Sequence, residues 1–226
     1  MTDIMTEITK NAEQFKRTNY VAMNPTFGTD IPIITSPNAI EALEGCLSIF
    51  NSATASSNPN TIIIPQYVRL ICTVVPASGT TLLFRLANDV KHRWSSGGTK
   101  LVPTETFVDT ASGFARRTSK ATIYFGDLTL SAASSEKQVG QAQFHSATLA
   151  GVIGDQYLFT FGDYGNTNAP MPASGAMSYT HNCQKIYLGP GTSLIMQPLS
   201  ASAAATAGEY YVEVGYQEIK RNDGVI

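Results

Sequence analysis

Apolar and polar residues alternate along the chain from Glu209 to Ile219. Tyr210, Val212, Val214, Tyr216 and Glu218 fall on one face, and Tyr211, Glu213, Gly215, Gln217 and Ile219 on the other. Period-two alternation between turn signals marks a half-buried antiparallel strand. Upstream, a strand ending at Leu188 meets the turn Gly189-Pro190-Gly191, and a second runs from Thr192 to Leu199 before a Ser/Ala loop. A loop that long between strands fits a crossover between two sheets rather than a hairpin. The same texture begins at Ile62. Extended segments are expected at Ile62–Val75, Thr80–Val90 (with Leu82, Phe84 and Leu86 on one face), Leu101–Val108, Lys120–Leu130, Gln138–Leu149, Gln156–Phe161 and Met177–Leu188. About nine or ten short strands separated by Gly, Ser and Pro turns predict an all-β chain, a sandwich or jelly roll.

The first sixty positions read differently. Residues 1–20 are polar with weak helical spacing at Ile4, Ile8 and Phe15, and Pro25, Pro32 and Pro37 then favour an extended path. Ser36-Pro37-Asn38 is placed to start one short helix over Ala39–Phe50, with Glu41 and Glu44 in its early turns, where carboxylates suit the helix dipole. The polar run from Asn51 to Asn60 is a connector. The expected organisation is an extended N-terminal arm with a short helix over residues 1–60, and a β-sandwich over 61–226.

Composition sharpens this picture. Of 226 residues, 43% are hydrophobic, enough for a sizeable core, but only 14% are charged, against ~25% in ordinary soluble domains. A surface so poor in charge suits a subunit buried against neighbours. A net charge of −2 argues against nucleic-acid binding. The charges are unevenly placed: Arg85, Lys91, Arg93, Lys100, Arg116, Arg117 and Lys120 outnumber Asp89, Glu105 and Asp109. From Ala121 to Ile219, Asp127, Glu136, Asp155, Asp163, Glu209, Glu213 and Glu218 face only Lys137 and Lys185. Such runs read first as ordinary solvated loops; the alternative is two faces of opposite charge that meet complementary neighbours. The segment MTDIMTEITKNAEQ lacks the long apolar run of a signal peptide, and no stretch is expected to span a bilayer.

Candidate chemistry is sparse. Cys46, Cys72 and Cys183 have neither disulfide-framework nor zinc spacing, and Cys72 reads as a small buried hydrophobe. His92, His145 and His181 lie far apart, without a ligand pattern such as HExxH. His181 and Cys183 are two positions apart and share a strand face, the arrangement a Cys/His pair would need, but a nucleophile also requires an activated thiolate. The Gly189–Ser193 run joins strands rather than opening a helix, so it reads as a turn rather than a phosphate cradle. Tyr157, Phe159 and Phe161 at strand spacing read as core, and Trp94 as a surface contact or a buried edge residue. No catalytic residue, metal site or cofactor is expected.

The order of segments HRWSSGGTKLVPT (His92–Thr104), KATIYFGDLTLSAASS (Lys120–Ser135), GDQYLFTFG (Gly154–Gly162) and IYLGPGTSLIMQPL (Ile186–Leu199) resembles the jelly-roll structural proteins of tailed bacteriophage virions, the capsid cement or decoration proteins. The resemblance covers Thr61 to Ile219 and implies an antiparallel jelly-roll β-sandwich with no enzymatic activity. It implies a subunit, a homotrimer, made in the host cytoplasm and seated on the capsid surface against the major capsid protein and copies of itself. Val21, Pro25, Phe27, Ile31, Pro32, Ile33, Arg93, Trp94, Arg116 and Arg117 are the expected contact residues. Other virion subunits (a major capsid jelly roll, a head fibre or a tail protein) fit the same pattern. A glycan-binding host-recognition module is the alternative outside that class, with Trp94 or the Asp163–Asn168 loop as its candidate site, and a jelly-roll enzyme would need a metal.

Overall fold

The structure is a computed structural model, and it describes residues 15–25, 30–34, 36–37, 42–54, 61–75, 82–105, 118–143, 151–162, 175–200 and 206–221. These residues are nearly all strand: β1 (Phe15–Met23), β2 (Ile31–Ile34), β3 (Ser36–Pro37), β4 (Glu44–Asn51), β5 (Thr61–Val74), β6 (Leu82–Asp89), β7 (Trp94–Glu105), β8 (Ala121–Leu130), β9 (Lys137–Gln143), β10 (Gln156–Phe161), β11 (Ser178–Cys183), β12 (Ser193–Ser200) and β13 (Thr206–Arg221). Hydrogen-bonded neighbours run in the order β11-β10-β5-β13-β1-β7-β8-β4-β12-β6-β9, with β2 paired to β13 and β3 to β12. All-β architecture is thus as the alternation predicts. Among the described residues no helix is long and apolar enough to cross a membrane.

One strand joins the two halves of this sheet. The end of β7 pairs with β1 (Val102 with Met23, Glu105 with Tyr20), and its beginning pairs with β8 (Trp94 with Leu130, Leu101 with Ile123). Register slips between Trp94 and Ser96 and between Gly97 and Thr99 let β7 bend. Gly97 and Gly98 hold φ of 80° and 69° there, a backbone state that glycine adopts without steric cost.

Both halves contribute to one core. Tyr210, Val212, Val214 and Tyr216 of β13 and Val68, Leu70 and Cys72 of β5 belong to the same buried cluster as Leu47 and Ile49 of β4, Leu194 and Met196 of β12, and Ile123 and Phe125 of β8. Phe84 of β6 meets Phe159 of β10 edge to face, centroids 5.8 Å apart, across the interior. Each fully buried aliphatic or aromatic side chain contributes about 1.5–3 kcal/mol, so this shared interior holds the halves together. The interior also takes in Glu218, which accepts hydrogen bonds from Lys120 N at 2.7 Å and Ser119 Oγ at 3.1 Å. Those bonds tie the entry to β8 onto the end of β13.

Two expectations change. The helix over Ala39–Phe50 is instead strand β4 from Glu44 onward, hydrogen-bonded to β8 and β12; positions 39–41 lie outside the described residues. Part of the segment expected to form an extended arm pairs into the sheet: β1 lies between β13 and β7, and β2 extends along β13. Tyr20, Ala22, Ile31 and Ile33 are core residues.

The far edges nearly close the sheet into a barrel. A Cβ built on Gly140 of β9 would sit 2.8 Å from the Cys183 Sγ of β11, so glycine is what lets these edge strands meet. Gly140→Ala is expected to destabilise the fold by about 1–3 kcal/mol through overpacking, and adding Cys183→Ala should return part of that loss. Urea unfolding of the four proteins in this double-mutant cycle gives the coupling; additive effects would mean that the edges do not touch.

Candidate functional site

The groups with chemical potential are mostly spent inside the fold. All three cysteines are unpaired and buried. Burial pushes the Cys183 thiol up to about 12 and that of Cys72, with the Asp155 carboxylate adding to it, also up to about 12; Cys46 is raised further by the same desolvation. These thiols stay neutral at physiological pH and are poor nucleophiles. His181 and Cys183 do share a face of β11, yet both pack inward near Gly140, and the His181 ring lies edge-on to Phe159 at 6.1 Å. Among the described residues no three His, Cys, Asp or Glu side chains gather in a way that could hold a metal ion.

One acid of the second charged block, Glu136, meets two arginines of the first, Arg85 and Arg93, within the chain. Arg93, with no exposed surface, donates from Nη1 to Glu136 at 2.5 Å and to Asp89 at 3.4 Å, from Nη2 to Ala42 O at 2.6 Å and from Nε to Ser131 O at 2.6 Å. Arg85 pairs with the other oxygen of Glu136. Desolvation works against the Asp89 carboxylate, but backbone N–H groups of Ser134, Ser135 and Lys91 together with Arg93 hold it below its usual range. A buried charge bonded through each of its three nitrogens is a clamp between loops; removing one partner of such a cluster leaves an uncompensated charge. Arg93 is therefore an internal tie, with no guanidinium surface to offer a neighbour.

Trp94 is equally committed. Its ring stacks on Tyr124 at 3.9 Å with an interplanar angle of 3°, and its Nε1 donates to Gly97 O at 2.9 Å. His92 continues the stack, 5.9 Å from Trp94 and 3.9 Å from Phe50. This row packs on the outer side of the second half-sheet, over Ala87, Leu128, Leu130 and Ile195. Of the other expected contact residues, Ile31 and Ile33 are buried, Pro25 and Pro32 are exposed, and Val21 is half-buried. Phe27, Arg116 and Arg117, like the Asp163–Asn168 loop, lie outside the described residues. Among the described members of the expected contact set, Arg93, Ile31 and Ile33 are buried within the chain.

A concave feature on the outside of the sheet lies elsewhere. A groove of about 230 Å³ lies astride β1, β13 and β5, lined by Asn19 and Val21, by Gly215 and Gln217, and by Gln66 and Tyr67. Register brings them together: Asn19 faces Gln217 and Val21 faces Gly215 on one side of β13, and Tyr67 faces Gly215 on the other. A bulge between Gly215 and Tyr216 opens the surface there. The Tyr67 ring lies directly over Gly215, where a Cβ would come within 2.1 Å of Cε1. The Tyr67 hydroxyl donates to Glu213, whose other oxygen takes Arg69. The sequence signal for this groove is slight: one glycine interrupting the alternation of β13, and amides scattered over three distant segments.

No family model matches the chain, and neither a curated protein nor a solved structure matches it.

Burial lowers the proton affinity of both His92 and His181 below the ordinary value of 6.5. The folded state then binds fewer protons than the unfolded chain between that depressed value and 6.5, so stability falls as pH drops below about 6.5. Thermal midpoints measured from pH 7.5 to 5.5 should decline, and His92→Phe, which keeps a ring on Phe50, should flatten the decline. An unchanged slope in that variant would remove His92 from the account.

Proposed function

We propose that this chain is a non-enzymatic structural subunit of a virus particle, built on a jelly-roll β-sandwich. One observation carries the reading. Taken in chain order, β1, β4, β5, β6, β9, β10, β12 and β13 are neighbours as β1-β13-β5-β10 in one half and β4-β12-β6-β9 in the other. All these pairings are antiparallel. First beside eighth, then third and sixth, opposite second, seventh, fourth and fifth, is the order that two interlocked Greek keys produce. That architecture recurs in viral capsid proteins, lectins and cupins. On this reading β7 and β8 are a hairpin inserted between the fourth and fifth strands, and β11 is an added parallel edge.

Among the described residues His92 and His181 are each packed against aromatic rings rather than directed at a shared centre, which gives the metal-enzyme branch little support; His145 lies outside them. The first lectin candidate, Trp94, is half-buried, with its ring stacked on Tyr124 and its N–H bonded to Gly97 O. A low-charge chain whose ion pairs are largely internal suits repeated subunit contacts, where a small gain per copy is multiplied by symmetry. The segment order that resembles phage decoration proteins supports the more specific proposal. The subunit is a homotrimeric cement protein on the capsid surface of a tailed-phage head, bound to the major capsid protein and to its own copies. A capsid, head-fibre or tail subunit would use the same fold.

The test is mass in solution by light scattering, followed by sedimentation with empty capsid shells. A trimer that pellets with shells is the expected result. A monomer that stays in the supernatant contradicts the decoration reading.

A further inference from the structure

We propose that the groove astride β1, β13 and β5 binds a neutral saccharide. It goes beyond the structural role, on which it does not depend. The groove's space, about 230 Å³, matches the volume of roughly eight liquid waters, on the scale of a single six-membered sugar ring.

The lining dictates the ligand class. Asn19, Gln66 and Gln217 contribute primary amides, and each amide carries both donors and an acceptor; Gln66 also donates from Nε2 to Ile64 O at 3.4 Å. A hydroxyl group also donates and accepts, so a ring bearing several hydroxyls can satisfy such a lining, whereas an anion or cation can use only half of it. No charged side chain lines the groove. The nearby carboxylate of Glu213 is engaged by Arg69 and Tyr67. Tyr67 adds an aromatic wall against which the C–H face of a sugar can pack, and its position is fixed twice over. Its hydroxyl is tied to Glu213, and its ring rests on the bare backbone of Gly215. The site stands on three adjacent strands rather than on loops, so little ordering is lost on binding. A ligand of this size in an open groove is expected to bind on the order of 1 mM. On a particle surface, many such weak sites act together.

The test is saturation-transfer NMR on the full chain with glucose, galactose, mannose and N-acetylglucosamine, and inorganic phosphate as a competitor. Transfer to at least one sugar, saturating in the millimolar range and indifferent to phosphate, is the expected result. The variant Gln66→Ala/Gln217→Ala changes two half-buried side chains and should weaken binding at least tenfold without moving the thermal midpoint. Asn19→Ala, at an exposed position, should do the same to a smaller degree and serves if the double variant proves unstable. No transfer to any of the four sugars, transfer that survives these substitutions, or displacement by phosphate would each overturn the proposal. A chain that pellets with capsid shells yet ignores all four sugars overturns this inference alone.

Discussion

The two halves of this molecule are joined through the backbone hydrogen bonds of β1. On one edge β1 pairs with β13 from Phe15 opposite Arg221 to Met23 opposite Glu213, and on the other it pairs with the end of β7. Because β7 continues into the second half through β8, removing β1 would cut the sheet in two. It would also leave the backbone groups of β13 without partners where Tyr216, Val214 and Glu218 are buried. Buried unpaired backbone groups are costly enough that native folds almost never tolerate them. Side chains reinforce the pairing: Tyr20 stacks on Tyr216 at 5.4 Å, and Ala22 enters the core. A segment that reads as a detachable arm is thus the seam of the fold.

The same constraint organises the surface. The saccharide groove is bounded by β1 on one side and β5 on the other, with β13 as its floor, so it exists only when the seam is made. The charged side chains follow a parallel logic. Arg93, Asp89, Glu136 and Arg85 form one internal cluster and Arg69 and Glu213 another. Both spend their charge within the chain, where geometry is fixed, rather than on a neighbour. Among the described residues the exposed surface mixes charged side chains (Glu44, Lys100, Asp127, Lys137 and Lys185) with scattered apolar ones such as Met23, Val102 and Ile153.

Much of the β-content was legible in the sequence because alternation is a local signal. The inward set Tyr210, Val212, Val214, Tyr216 and Glu218 is the buried face of β13, and Tyr157, Phe159 and Phe161 are core as their spacing implies. Strand β4 was misread for a physical reason. It is buried on both faces from Gly45 to Ile49, since Leu130 and its neighbours cover the outer side, and a strand without a polar face has no period-two signature. Tertiary neighbours then override the helix-start signal at Ser36-Pro37-Asn38 and the carboxylates Glu41 and Glu44 that follow it. Strand β1 was hidden because its partner lies some two hundred positions along the chain, and its own alternation is confined to Tyr20 and Ala22. The groove was illegible for the same reason. Asn19, Gln66 and Gln217 become neighbours only through register, and nothing in their local sequence announces it.

Hydrogen exchange of the backbone amides tests the seam most directly. If β1 joins the halves, its amides open only with the whole domain, and Tyr20 to Met23 should be as protected as their partners on β13. Exchange of β1 within seconds, with β13 and β5 still protected, would make the segment a loose arm and contradict this account.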